Sequence, residues 1–361
     1  MQFRTCNIYS RGVGKLSKVY FIPADCISSA SDAARRLLEH IVEAEGVKLA
    51  QFLPLKLHFG EKGNRTYLPP ETYAGVNAFL SEKGIETAYY ETSVLYGGER
   101  FKAEKHIALA EKHGFTDHPV IIADGASGED AVQVEVNLKH FASCAVARKL
   151  AEAEQVLVLS HFKGHMLAGF GGAIKQLGMG FAAKGGKMAM HLGVKPRIIS
   201  LFCRGCGACV RRCNENAITQ NGKKYRIDQL KCIGCGACFS ICPHHAVSVW
   251  SFAGLANALF KGRHFREKLV EYAFAGHRGK NNIYINFALN ITRGCDCEPH
   301  PMRRITGNLG VFCSTDPVAV DAACIDMLKS RKVKFKGTDQ LQYAESIGMG
   351  STDYELVTIE K

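Results

Sequence analysis

Two cysteine runs constrain this chain more than any other feature. Cys203, Cys206, Cys209 and Cys213, then Cys232, Cys235, Cys238 and Cys242 followed by Pro243, spell C-x2-C-x2-C-x3-C twice in close succession. A cubane cluster needs four thiolates converging from nearly all sides, and the short x2 spacings let one tight loop supply three of them. The twin runs therefore predict two 4Fe-4S clusters. Zinc ribbons use pairs of C-x2-C, and the third and fourth cysteines of each run exceed what a tetrahedral zinc site requires. Disulfides need an oxidising compartment, whereas the chain opens MQFRTCNIYS without an apolar signal core, so a cytoplasmic location is expected.

The repeat resembles the two-cluster bacterial ferredoxins. In that arrangement the last cysteine of each run crosses to the other cluster. The resemblance thus assigns Cys203, Cys206, Cys209 and Cys242 to one cluster, and Cys232, Cys235, Cys238 and Cys213 to the other. Gly205, Gly207, Gly234 and Gly236 let the backbone close around inorganic sulfide. Asn214 stands where the second run has Pro243, a departure that removes no ligand.

The 361 residues carry a formal charge of +12. Within 201–250, seven Arg or Lys face two acids, and a thiolate-ligated cluster brings negative charge that offsets them. The basic surface predicts an acidic electron-transfer protein, such as a flavodoxin or ferredoxin, as partner, and a small anionic substrate or cofactor. Nucleic acid is not expected. No apolar stretch reaches the roughly eighteen residues of a membrane helix, so no membrane partner is expected either.

Before the cysteines the chain alternates strand and helix patterns. Residues 48–60, 86–96, 118–125 and 155–162 read as strands, and 69–84, 102–114 and 136–153 as helices. After Pro243, 282–292 reads as a strand and 307–330 as a strand, a turn at Pro317 and a helix with Asp316 as N-cap and Asp321 one turn in. The expected fold class is α/β, with mostly parallel sheets and helices on both faces. The expected domains are 1–199 and 251–361 as two parts of one α/β unit, with 200–250 an inserted ferredoxin domain. Loops after Gly60, Tyr96, Asp124 and Ser160 should converge on a site at the strand ends.

Ser160 to His191, SHFKGHMLAGFGGAIKQLGMGFAAKGGKMAMH, is dense in glycine and carries His165, Lys175 and His191. The segment is similar to the H-x-x-A-G-[FY]-[SG]-G-x-x-K block of nickel-pincer lactate racemases. That resemblance implies a racemase-like fold, an acid/base histidine at His165, a lysine at Lys175 that holds a nucleotide cofactor, and a nickel-binding histidine at His191. Gly97-Gly98-Glu99-Arg100 stands where those racemases have G-T-H-R, which puts Glu99 at the second catalytic histidine and leaves a carboxylate as the candidate base. With the cysteine runs, Cys295-Asp296-Cys297 and Asp316-Pro317-Val318-Ala319-Val320-Asp321, the whole chain resembles a family of uncharacterised iron-sulfur centre proteins.

The sequence thus predicts an iron-sulfur oxidoreductase or electron-transfer protein in which two 4Fe-4S clusters pass electrons to a racemase-like cleft. Its catalytic residues are His165, Lys175 and Glu99, and its cofactor-binding residues Arg100, Lys175 and His191. Cys295 and Cys297 are candidates for an additional metal, and the cleft for a metal or nucleotide cofactor. A metal-dependent racemase or epimerase, and a non-enzymatic electron shuttle or maturation factor, are the alternatives.

Overall fold

The structure, a computed structural model, describes residues 16–26, 29–192, 195–213, 215–232, 237–248 and 262–359. Cys235, Gly234, Gly236 and Asn214 lie outside the described residues.

The first half alternates as the hydrophobic periods predict. Strand β1 (Ser17–Pro23) leads through α1 (Ala30–Ala44) to β2 (Phe52–Lys56), α2 (Ala74–Glu82), β3 (Glu86–Glu91), α3 (Ala103–Lys112) and β4 (Val120–Ile122). Ser29 starts α1 by accepting the Asp32 N–H on its side chain, which satisfies one of the orphan donors of a first turn.

Residues 136–153 do not form the expected helix. They belong to an antiparallel hairpin of β5 (Ala131–Glu135) and β6 (Ser143–Ala147), followed by only one turn of helix, α4 (Arg148–Ala151). Asn137 turns the chain at φ 50°, and Leu138 N–H donates to Phe141 O. Alternating Val132 and Val134 pair with Val146 and Cys144. β-Branched residues on a half-buried pleat outweighed the helical look of the Ala, Lys and Leu run.

The chain continues with β7 (Leu157–His161), a short hairpin of β8 (Lys163–His165) and β9 (Gly169–Gly171), then α5 (Ala173–Phe181) and α6 (Lys184–Leu192). The cysteine segment begins at β10 (Arg197–Ile198) and holds α7 (Ala208–Arg211), β11 (Ile218–Asn221), β12 (Lys224–Ile227), α8 (Ala237–Ile241) and β13 (Val247–Ser248). Pairing of β10 with β13 brings its two ends together. Beyond it lie a Gly262–His277 helix, β14 (Ile283–Ala288), β15 (Gly310–Ser314), helices Pro317–Ser330 and Asp339–Ser346, and β16 (Tyr354–Thr358).

The main sheet has eight strands in the order β16-β1-β15-β14-β7-β2-β3-β4. β15 alone runs against its neighbours β1 and β14, and every other pairing is parallel. Helices cover both faces. On one, Leu37, Leu38, Val76 and Leu80 pack with Leu55 and Leu159. On the other, Ile174, Leu177, Leu269 and Val318 pack with Val158 and Phe312. The C-terminal ends of the mutually parallel β2, β3, β7 and β14 therefore open at one edge, where α/β sheets collect ligands.

The glycines ahead of α5 have a packing reason. Asp316 caps its own helix, accepting the Val318 and Ala319 N–H groups, with Pro317 in the first turn. Asp321 instead reaches across to α5, accepting the Ala173 N–H at 2.7 Å, the Ile174 N–H at 3.0 Å and Asn286 Nδ2 at 2.7 Å. A Cβ on Gly172 would overlap Asp321 Oδ1. Asp321 thus fixes the start of the helix that carries Lys175. Asp321→Ala strips the acceptor from the Ala173 and Ile174 N–H groups and leaves Asn286 Nδ2 only Cys324 Sγ at 3.7 Å, so a loss of about 2–4 kcal/mol is expected in urea unfolding. Asp316→Ala, at a part-buried cap, should cost about 1 kcal/mol.

Candidate functional site

A cavity of about 260 Å³ opens at the strand ends, lined by His58, Glu91, Arg100, His165, Lys175, Lys187, His191, Cys295 and Cys297 among others. The loops after β2, β3 and β7 contribute, as expected from the strand pattern, but the loop at Asp124 after β4 is not among the lining residues. The loop after β14, which brings both cysteines, was not anticipated as part of the cleft.

Glu298 N–H donates to Cys295 O at 2.9 Å, so Cys295 to Glu298 form a tight turn. Asp296, between the two cysteines, is anchored in the protein: its Oδ2 lies 2.8 Å from His161 Nδ1 and 2.7 Å from Lys163 Nζ. Asn64 Nδ2 donates to Glu298 O at 3.0 Å, and Cys295 N–H to Glu298 Oε1 at 2.8 Å. The buried Asp296 carboxyl is held well below the ordinary range, because His161 and Lys163 outweigh the upward push of burial.

Lys175 Nζ sits 3.3 Å from Cys295 Sγ. Burial alone would depress the lysine, but the Cys295 and Cys297 sulfurs hold its pKa above the ordinary value. Cys295 in turn is lowered well below a normal thiol, by a hydrogen bond from Cys297 and by Lys175. Negative charge on the pair is thus favoured at Cys295, beside the Lys175 ammonium, over Cys297. His165 completes the group: it and the two cysteines offer ligand atoms all within 4.8 Å of one another, a set that could hold a metal ion.

His165 Nδ1 accepts the Ala168 N–H at 3.0 Å. Burial first, then Lys175, push its pKa down to about 3, so the ring is neutral near pH 7 and carries its proton on Nε2. His58, which the sequence reading missed, is arranged the same way: Nδ1 accepts the Gly60 N–H at 2.9 Å, and burial, then Arg100, lower its pKa strongly. His191 is pushed down to about 4 by burial, Lys175 and Lys187. The cavity therefore holds three uncharged imidazoles, with lysines and Arg100 as its cations.

Two expectations need correction. Glu99 is not among the cavity's lining residues; it pairs with Lys62 at 3.3 Å and is partly exposed. The carboxylates that do line the cavity are Glu91, at the end of β3, and Glu298, beside the two cysteines. Arg100 lines the cavity, but Glu91 Oε2 at 2.7 Å and Glu61 Oε2 at 3.7 Å already surround its guanidinium. Lys56 adds a 2.8 Å contact to Glu91 Oε1. Lys187, also missed, donates to Thr92 Oγ1 at 2.6 Å and Ser93 O at 2.5 Å, and burial brings its pKa down to about 8. Spacing alone could not find Glu91, Lys187 or His58, because their common destination depends on the sheet order.

The cysteine segment forms a second locus. Cys203, Cys206, Cys209 and Cys242 line one hollow. Gly205 and Gly207 take φ 70° and 71°, which bends the loop without Cβ crowding. Cys213, Cys232 and Cys238 lie in the same small core as Cys209 and Cys242. The two runs match in detail: Ala217 N–H points at Cys213 Sγ and Ala246 N–H at Cys242 Sγ, each at 3.3 Å and each four residues on. The hollow's four cysteines are free and thiolate-forming, and backbone N–H groups face sulfur, so the donor set fits a four-iron cluster. Helix α6 connects the loci, placing Lys187 and His191 on the cavity and packing against α8, which carries Cys238.

Fold and site together define a mixed α/β protein with a cysteine and histidine cavity at the strand ends of a mostly parallel sheet. Residues 54–326 match the family described as Domain of unknown function (DUF362), and the chain belongs to that family. No curated protein matches the sequence. Among solved structures, the lactate racemase apoprotein from Thermoanaerobacterium thermosaccharolyticum is similar at TM-score 0.38 and 12% identity, over 76% of this chain and 51% of that one. A protein from Thermotoga maritima is similar at TM-score 0.45 and 10% identity, over 86% of this chain and 61% of that one. The chain thus spans about half to three fifths of the length of these structures. Among the described residues no helix is long and apolar enough to cross a membrane.

Proposed function

We propose that the protein is an iron-sulfur oxidoreductase or electron-transfer protein, with a two-cluster ferredoxin unit inserted at 200–250 that exchanges electrons with the cavity. The observation that carries this reading is the hollow lined by Cys203, Cys206, Cys209 and Cys242, which unites three cysteines of the first run with the last of the second. Bound four-iron clusters supply one-electron chemistry at low potential. The packing of α6 on α8 supports a short route between clusters and cavity. Exposed Cys206 and Arg204 beside the hollow suit entry of electrons from an acidic carrier.

At the cavity, Lys175 and Lys187 supply positive charge for an anionic group, and His58 and His165 present neutral Nε2–H donors. A nucleotide attached covalently to Lys175, as the isomerase alternative requires, needs a neutral amine; the neighbouring thiolate favours the ammonium.

Anaerobically purified protein should contain about eight iron and eight sulfide per chain. Dithionite reduction should generate paramagnetic cluster signals. Protein without cluster iron after anaerobic reconstitution would end the proposal. Lys175→Ala and His165→Ala should keep that iron while losing turnover with the physiological acceptor, and intact mass should show Lys175 unmodified. Full activity in both variants would leave only a shuttle.

A further inference from the structure

We propose that Cys295 and Cys297 form a reversible dithiol–disulfide pair that opens on the cavity and reduces a small disulfide compound there. The proposal rests on the iron-sulfur reading only for its source of electrons.

The backbone favours ring closure. The two cysteines are the first and third residues of a tight turn closed by the 2.9 Å Glu298 N–H to Cys295 O bond. Such residues have Cα atoms roughly 5–6 Å apart, within the range a disulfide bridges. Their sulfurs lie within 4.8 Å of one another and both face the cavity. Asp296 points away, fixed by His161 and Lys163, so it anchors the turn while its neighbours react.

The surroundings favour thiol chemistry over a metal. Cys297 N–H approaches Cys295 Sγ at 3.5 Å and Lys175 Nζ at 3.3 Å, both stabilising negative sulfur. Lys175 thereby already neutralises the sulfur a metal would need. His165 spends its Nδ1 lone pair on Ala168 N–H, so its other nitrogen presents a hydrogen rather than a lone pair. That geometry serves a leaving thiolate and is poor for coordination. The remaining wall includes Val94, Leu95, Met179 and Leu167, an apolar surface suited to an uncharged disulfide bond.

The chemistry balances as follows. The Cys295 thiolate attacks one sulfur of the substrate disulfide, breaking that S–S bond, forming a mixed disulfide and releasing one thiolate, which takes a proton. Cys297 loses its proton and attacks Cys295 Sγ, forming the Cys295–Cys297 bond and releasing the second thiol. Two electrons and one proton then reopen the pair to thiolate and thiol, the electrons coming from one-electron iron-sulfur donors and the other proton having gone to the first released thiolate. Overall, one disulfide, two electrons and two protons give two thiols.

The test equilibrates the intact, anaerobically purified protein in dithiothreitol buffers of graded potential, traps thiols by rapid alkylation and reads the Cys295–Cys297 peptide by mass spectrometry. The expected result is a two-electron transition from doubly alkylated peptide to an intramolecular disulfide. Because Lys175 stabilises the thiolate, Lys175→Met should favour the disulfide about tenfold, moving the midpoint about 30 mV more negative. Two results would overturn the proposal: a peptide that stays doubly alkylated at every potential, or one equivalent of divalent metal that survives gel filtration and is released by Cys297→Ser. Cycling in a protein without iron would instead sink the cluster reading and leave the pair standing.

Discussion

Cys242→Ala should remove about four of the expected eight iron atoms per chain, and the loss should fall on the cluster served by the first run. Cys203 and Cys206 lie in the loop before α7 and Cys209 in its first turn, and Cys242 is the cysteine from outside that segment in their hollow. Three thiolates from one segment leave a corner of the cubane uncovered, so losing Cys242 exposes iron to solvent and oxidation. Cys213→Ala should produce the complementary loss. Iron and sulfide analysis with EPR of the reduced variants would separate the cases. Loss of the cluster held by Cys232 and Cys238 in Cys242→Ala would refute the crossed assignment.

Glu91→Gln should be the most destabilising single change in the cavity wall. Glu91 is buried between Lys56 and Arg100, at 2.8 and 2.7 Å. Burial would raise its pKa, but Lys56 and Arg100 hold it well below the usual carboxylate range. A neutral amide keeps the shape and leaves two buried cations facing each other. Removing one partner of such a network costs about 3–5 kcal/mol, or roughly 5–10 °C in Tm. The same linkage sets a pH dependence. Since the folded pKa is depressed, the carboxylate's contribution is complete above the unfolded value near 4 and is lost as pH falls below it. The natural protein should therefore lose stability steeply below about pH 4, and Glu91→Gln should flatten that limb. A variant melting within 2 °C of the natural protein, roughly the span of a 1 kcal/mol change, would show that the cations relax without the carboxylate.

Much of the architecture was readable because it is local. The 3.6-residue period of α2 and α3, the apolar runs of β2, β3, β7 and β14, and the Asp316-Pro317 cap each specify their element over a few residues. The error at 136–153 is equally instructive. Alanine-rich sequence around two valines is compatible with both helix and hairpin, and the choice fell to burial of Cys144 and Val146 against the Gly262–His277 helix.

The site divides along the same line. The spacing of the two runs names the eight cysteines, whereas the resemblance of their segment to the racemase block names His165, Lys175 and His191. Glu99 was named from its place in a motif, but sheet order turns it outward and brings Glu91 in from the strand end. Cys295 and Cys297 were visible as a pair. That they meet His165 and Lys175 follows from β14 lying parallel to β7, which delivers two loops over a hundred residues apart in sequence to one mouth. Sequence by itself determined the paired cysteine spacing, the Asp316 cap and the strand-helix alternation, since each depends on a few adjacent residues. Only the tertiary structure decided which charges are buried together and which lone pairs remain free, since both depend on the order of strands and the water they exclude.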